Sequence, residues 1–133
     1  MPTIEVQTGD RFSIHAWGTD EKCQLLDFLE TLKDQVNSDY TRLLYLITRT
    51  ANNGPPYNEK QCRALQGKKA VDLFEFKAPN GARIIWFYDA NRIIVCSHGF
   101  TKKKNRTDPE EIDRVQAIKI LYFEEKKRRE HVQ

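Results

Sequence analysis

The chain has 133 residues, with 22 Lys+Arg against 19 Asp+Glu and a formal net charge of +3. That length suits one domain able to bury a core without staples, and so mild a charge excess does not by itself indicate nucleic acid. Three cysteines without a CxxC pair (Cys23, Cys62 and Cys96) argue against a disulfide framework, and no apolar run has transmembrane length, so the expectation is a soluble, cytoplasmic protein without a secretion signal.

Arg11 to Trp17 reads as a first strand, with Phe12, Ile14 and Ala16 alternating against Arg11, Ser13 and His15. Thr19 or Asp20 caps a helix whose Leu25, Leu26, Phe28, Leu29 and Leu32 recur at helical spacing. Ser38 or Asp39 opens a second helix carrying Leu43, Leu44, Leu46 and Ile47, and Asn53-Gly54-Pro55-Pro56 stops it. Asn58 followed by Gln61 predicts a short helix ending at Gly67. Between Val71 and Lys104, three runs rich in Val, Ile, Phe, Tyr and Trp are broken at Pro79-Asn80-Gly81 and Asp89-Ala90-Asn91, which predicts a β-meander. Asp108-Pro109-Glu110-Glu111 is the clearest helix start, followed by a stripe of Ile112, Val115, Ile118, Leu121 and Tyr122. The expected fold class is α+β: a mostly antiparallel sheet of the N-terminal strand plus the meander, with N-terminal helices and a C-terminal helix packed on one face. One domain spans residues 1–133, and the charged tail beyond Glu124 is a candidate for disorder.

Pro79-Asn80-Gly81 suits a three-residue hairpin loop, which pairs Lys77 with Arg83, Phe76 with Ile84 and Glu75 with Ile85. Strand alternation then gathers Phe74, Phe76, Ile84, Trp86 and Tyr88 on one face, and Leu73, Glu75, Lys77, Arg83, Ile85 and Phe87 on the other. A two-residue Ala90-Asn91 turn sets Arg83 opposite His98; a loop that includes Asp89 sets it opposite Ser97, and the first is preferred. Either way the chain passes Gly99 and Phe100 into Lys102, Lys103, Lys104 and Arg106, near the same end of the sheet.

RNA can be cut without a metal when its own 2′-hydroxyl attacks the adjacent phosphate. That chemistry needs a proton acceptor, cations on the phosphorane and a proton donor to the 5′-oxygen. Arginine grips two phosphate oxygens at once, lysine serves as a point charge and histidine carries protons near neutral pH. The candidate catalytic residues are therefore Lys77, Arg83, His98 and Lys102; the candidate RNA contacts are Glu75, Lys102, Lys103, Lys104 and Arg106. Each has a plainer reading: Lys77 and Arg83 as a solvated rim, Glu75 as a cross-strand ion-pair partner, His98 as a packing residue. Neither metal-ligand spacing nor a phosphate-binding glycine loop occurs, and no cofactor is expected.

These residues resemble the RelE/ParE superfamily of toxins, in particular its HigB-like, phage-derived branch. The likeness is carried by Leu65-x-Gly67, by Leu73-Phe74-Glu75-Phe76-Lys77 and by Gly81 through Tyr88. It continues in His98-Gly99-Phe100-Thr101-Lys102-Lys103, in Thr107, Pro109, Glu111 and Ile112, and in Leu26-Asp27-Phe28-Leu29 of the first helix. The resemblance implies a toxin that cleaves mRNA in the ribosomal decoding site and is neutralised by a cognate antitoxin, a helix-turn-helix protein with an acidic segment. It carries family roles onto Lys77, Arg83, Lys102 and Lys103. Ala82 stands where a tyrosine is common and Phe76-Lys77 where Leu-Arg is usual, and Tyr122 is the nearest counterpart of an aromatic general base. Two other functions are compatible with it: a ParE-type toxin that poisons DNA gyrase, and a relative that has lost toxicity.

Overall fold

A computed structural model describes residues 2–103 and 107–132. The strands are β1 (Thr3–Thr8), β2 (Ser13–Trp17), β3 (Cys62–Ala64), β4 (Phe74–Lys77), β5 (Ala82–Asp89) and β6 (Ile93–Thr101). The helices are α1 (Gln24–Asp34), α2 (Asp39–Asn53) and α3 (Pro109–Val132), with a 3-10 turn at Lys68–Ala70. The strands form one six-stranded sheet in the order β1-β2-β6-β5-β4-β3, parallel only between β2 and β6. The class is α+β as expected, but the sheet is larger than expected and mixed.

Two of its strands escape a pattern reading. In β1, Ile4 and Val6 pack partly against the core and alternate with Thr3, Glu5 and Gln7, but two apolar residues make too short a pattern to stand out. Where a short helix was expected after Asn58, the chain makes a single turn, with the Gln61 and Cys62 amides bonded to the Asn58 carbonyl, and then enters β3. A three-residue strand is too short for periodicity to register.

The helices occupy both faces of the sheet, not one. Leu25, Leu29 and Leu32 of α1 and Leu43, Leu46 and Ile47 of α2 bury against Ile14, Phe76, Ile84, Trp86, Ile94 and Cys96. On the opposite side, Val115, Ile118 and Tyr122 of α3 close over Leu73, Ile85, Phe87 and Val95. The run Ile84-Ile85-Trp86-Phe87 is apolar on both sides, the pattern of a strand covered twice, and a helix layer on each face follows from it. Leu121, expected in the stripe, is half exposed, and α3 continues past Glu124 to Val132.

The first hairpin has the register its loop chemistry requires, with Lys77 opposite Arg83 and Glu75 opposite Ile85. The second turn does not. Its loop is Ala90-Asn91-Arg92, with Asn91 and Arg92 at φ of 63° and 61°, and a bulge follows at Ser97. Arg83 therefore faces Phe100, and His98 faces Ile85. The extra residue returns His98 to the face shared by Glu75 and Arg83, the face that α3 covers.

Candidate functional site

Two rows of side chains cross β4, β5 and β6 on that face. Glu75, Ile85 and His98 make one, and Lys77, Arg83 and Phe100 the next toward the Pro79-Asn80-Gly81 loop. Gly81 brings Lys102 to the end of the second row: its amide-bearing backbone meets Lys102, whose N–H donates to the Gly81 carbonyl at 2.7 Å. At φ 104°, with a Cβ destined to lie 2.6 Å from the Lys102 oxygen, only glycine fits there. Asp39, fully buried at the start of α2, holds the same loop by accepting the Asn80 and Ala82 amides, both at 3.0 Å.

Glu75 is the anion of the cluster and has no solvent exposure. Its Oε1 lies 3.1 Å from Nε of Arg83 and 3.7 Å from Nε of Arg63, the residue directly opposite on β3. Neither N–H aims at that oxygen well enough for a hydrogen bond, so both are close ion contacts. The other oxygen accepts the Thr107 hydroxyl at 2.7 Å. So enclosed, Glu75 organises the arginines and is not itself a contact for RNA. Arg83 also donates through one terminal nitrogen to the Ala78 and Ala82 carbonyls, each at 2.9 Å, which fixes the plane of its guanidinium.

Lys77 donates to the Glu59 carbonyl at 3.0 Å and stays partly exposed. Burial, followed by the charges of Arg63 and Arg83, lowers its pKa. Lys102 is lowered in the same way: burial leads, Glu75 opposes, and Arg63, Arg83 and Lys77 add to the depression. Four cations thus act on one another around the buried Glu75, with Asp39 and Glu59 adding weaker opposite charge from the sides, which leaves a local concentration of positive charge. Arg63 is absent from the sequence-based candidates because β3 was expected to be helical, and only its pairing with Glu75 reveals it.

Beside this cluster opens a cavity of about 550 Å³ lined by Phe100, Lys102, Lys103, Thr107, Pro109 and Glu111, among others. Lys103 is exposed at its edge; Lys104 and Arg106 lie outside the described residues. His98 does not reach the cavity as a free acid or base. It is wholly buried, with Nδ1 2.7 Å from the Ser97 hydroxyl and Nε2 3.1 Å from Oε1 of Glu111. Burial, with Arg114 adding to it, pushes His98 down to about 4. The Glu111 carboxylate pulls the other way, but Arg114 lies 3.8 Å from the same oxygen and offsets it. A neutral ring that accepts from Ser97 and donates to Glu111 satisfies every partner.

Tyr122 is part of the core and sits elsewhere. Its hydroxyl donates to Asp89 at 2.5 Å, and Lys126 binds the same carboxylate at 2.8 Å. Asp89 ends β5, six residues from Arg83 and so roughly 20 Å along the strand. Among the described residues no group of His, Cys, Asp and Glu is arranged to hold a metal ion, and no helix is long and apolar enough to cross a membrane.

The two helix layers and the mixed sheet define a small α+β protein with a cationic rim on one face. Residues 27–119 match the family described as phage derived protein Gp49-like (DUF891), and the chain belongs to that toxin-like family. The matched span runs from α1 into α3 and includes the residues of the cluster and the cavity. No curated protein matches the chain.

Proposed function

We propose that this protein is a HigB-like toxin of a toxin–antitoxin module that cleaves mRNA on the ribosome, without a metal, through attack of the 2′-hydroxyl on the adjacent phosphate. The observation that carries this reading is Arg83, clamped by Glu75 and two carbonyls, with Lys77 opposite it on β4 and Lys102 in the cavity wall as companion cations. In this reading Arg83 binds the scissile phosphate, Lys77 and Lys102 stabilise the phosphorane, and Lys102 donates the proton to the leaving 5′-oxygen. A lysine whose pKa is lowered by burial and like charges releases a proton more readily than a free one. Lys103 and the neighbouring Lys104 and Arg106 guide the RNA backbone. The cognate antitoxin covers the same rim with an acidic segment, since it must neutralise the charges that attract RNA.

Expression of the wild type and of the Lys77→Ala/Arg83→Ala double variant, with translation and mRNA ends followed, tests this reading. The wild type is expected to stop growth and cut messages, and the double variant to lose at least ~100-fold in cleavage rate, the usual cost of removing a preorganised charge from a phosphorane. Equal toxicity of the two proteins would refute it. Cleaved DNA–gyrase complexes with intact mRNA would mark a gyrase poison instead.

A further inference from the structure

From the geometry of the cavity we infer that Glu111 is the general base, taking the proton from the attacking 2′-hydroxyl, and that His98 is the residue that positions it. The inference rests on the nuclease reading above and adds the proton acceptor that reading lacks.

Glu111 is the third residue of α3, where a glutamate ordinarily turns back to the backbone of the capping residue. Here it does not. Asp108 caps the helix alone, accepting the Glu110 amide at 3.1 Å, and the Glu111 carboxylate turns instead to His98. One carboxylate oxygen is thereby fixed by a buried ring that is itself held by Ser97. The side chain keeps 19% exposure and forms part of the cavity wall shared with Lys102 and Thr107. His98 lies one strand over and two residue pairs along from Arg83, a diagonal of roughly 8 Å between their backbones, so a phosphate on Arg83 has Glu111 within reach.

The electrostatics suit the role. Burial raises the pKa of Glu111; Arg114 opposes that and Asp108 adds to it. The other ionisable groups facing it are His98 from β6 and Lys102 and Lys103 across the cavity. A base with a raised pKa opposite an acid with a lowered one is the division of labour that proton transfer near neutral pH requires. In the step itself the 2′-hydroxyl proton passes to Glu111 as the 2′-oxygen–phosphorus bond forms. The bond from phosphorus to the 5′-oxygen breaks, and Lys102 supplies that oxygen with a proton. The products are a 2′,3′-cyclic phosphate and a free 5′-hydroxyl.

Single-turnover cleavage of a defined mRNA on programmed ribosomes tests this assignment. Glu111→Gln keeps an oxygen for His98 but cannot take a proton, and is expected to slow cleavage by at least ~100-fold. Its affinity for a message blocked by a 2′-O-methyl at the scissile nucleotide should stay within about threefold. His98→Phe, which fills the place of the ring without an N–H, should move the rising limb of the pH–rate profile to higher pH, because the carboxylate loses a donor that favours its charged form. Unchanged cleavage by Glu111→Gln, beside an active wild type and an inactive Lys77→Ala/Arg83→Ala, would overturn the assignment and leave the nuclease reading intact. No cleavage by the wild type would overturn both. Should Glu111→Gln fail to fold, the wild-type profile decides: its rate must rise with pH through a group above the ordinary glutamate value, and a profile with no such rise would overturn the assignment.

Discussion

Glu75 holds an ionised carboxylate where no solvent reaches, and it is tolerable only because Arg63, Arg83 and Thr107 converge on it. Glu75→Gln preserves shape and the Thr107 contact while removing the charge, leaving two arginines facing each other. Breaking a buried ion pair from one side costs about 3 kcal/mol, so urea unfolding should show a loss of that order. A stability equal to wild type would mean that the arginines are paid for elsewhere. At this scale the sequence was partly legible. Glu75, Lys77 and Arg83 follow from one hairpin loop and strict alternation, and all three stand at the registers expected of them. Arg63 and Asp39 were not legible, because each reaches the site through a contact made across elements. His98 lies on the expected face, but its burial under α3 could not be read from a strand alone.

Helix α3 is anchored at its far half by one carboxylate. Burial alone would raise the pKa of Asp89, but hydrogen bonds from Lys126, Tyr122 and the Ala90 amide outweigh it and hold the carboxyl below its ordinary value. A carboxylate depressed in the folded state contributes stability that is present above the unfolded value of 3.8 and lost as pH falls through the folded one. Asp89→Asn should therefore cost ~2 kcal/mol at neutral pH and remove part of the acid-induced loss, as read by denaturant titrations at several pH values. The cavity, roughly 20 Å away, should keep its geometry. Helix ends were legible in part: Gly54 closes α2 and Asp108-Pro109 opens α3 by capping chemistry, whereas Ser38 precedes α2 without a side-chain cap bond and α1 begins at Gln24, behind Cys23, rather than after Thr19 or Asp20. The second meander turn was not legible, because Arg92 adopts a left-handed conformation that its side chain does not advertise and Ser97 adds a bulge downstream.

For the whole molecule, His98 sets a pH dependence. The ring is pushed down to about 4 in the fold against an ordinary 6.5, so the unfolded chain binds a proton first as pH falls. Stability is complete above the unfolded value and drains as pH drops toward the folded one. Glu111, raised by burial, opposes this only near and just above its ordinary 4.5. The loss should be clearest between about pH 6.5 and about pH 5, and His98→Gln should flatten it in urea titrations. A slope identical in the variant would assign the effect to other groups.

The coverage of the sheet has a consequence for synthesis. Leu73, Ile85, Phe87 and Val95 leave the ribosome before α3, the helix that shields them, so the emerging polypeptide carries a bare adhesive surface that invites chaperones or self-association. Thr107 and Glu111 arrive with that same late segment. A polypeptide proposed to destroy messages thus assembles its chemistry only once the codons for the shielding helix have themselves been read.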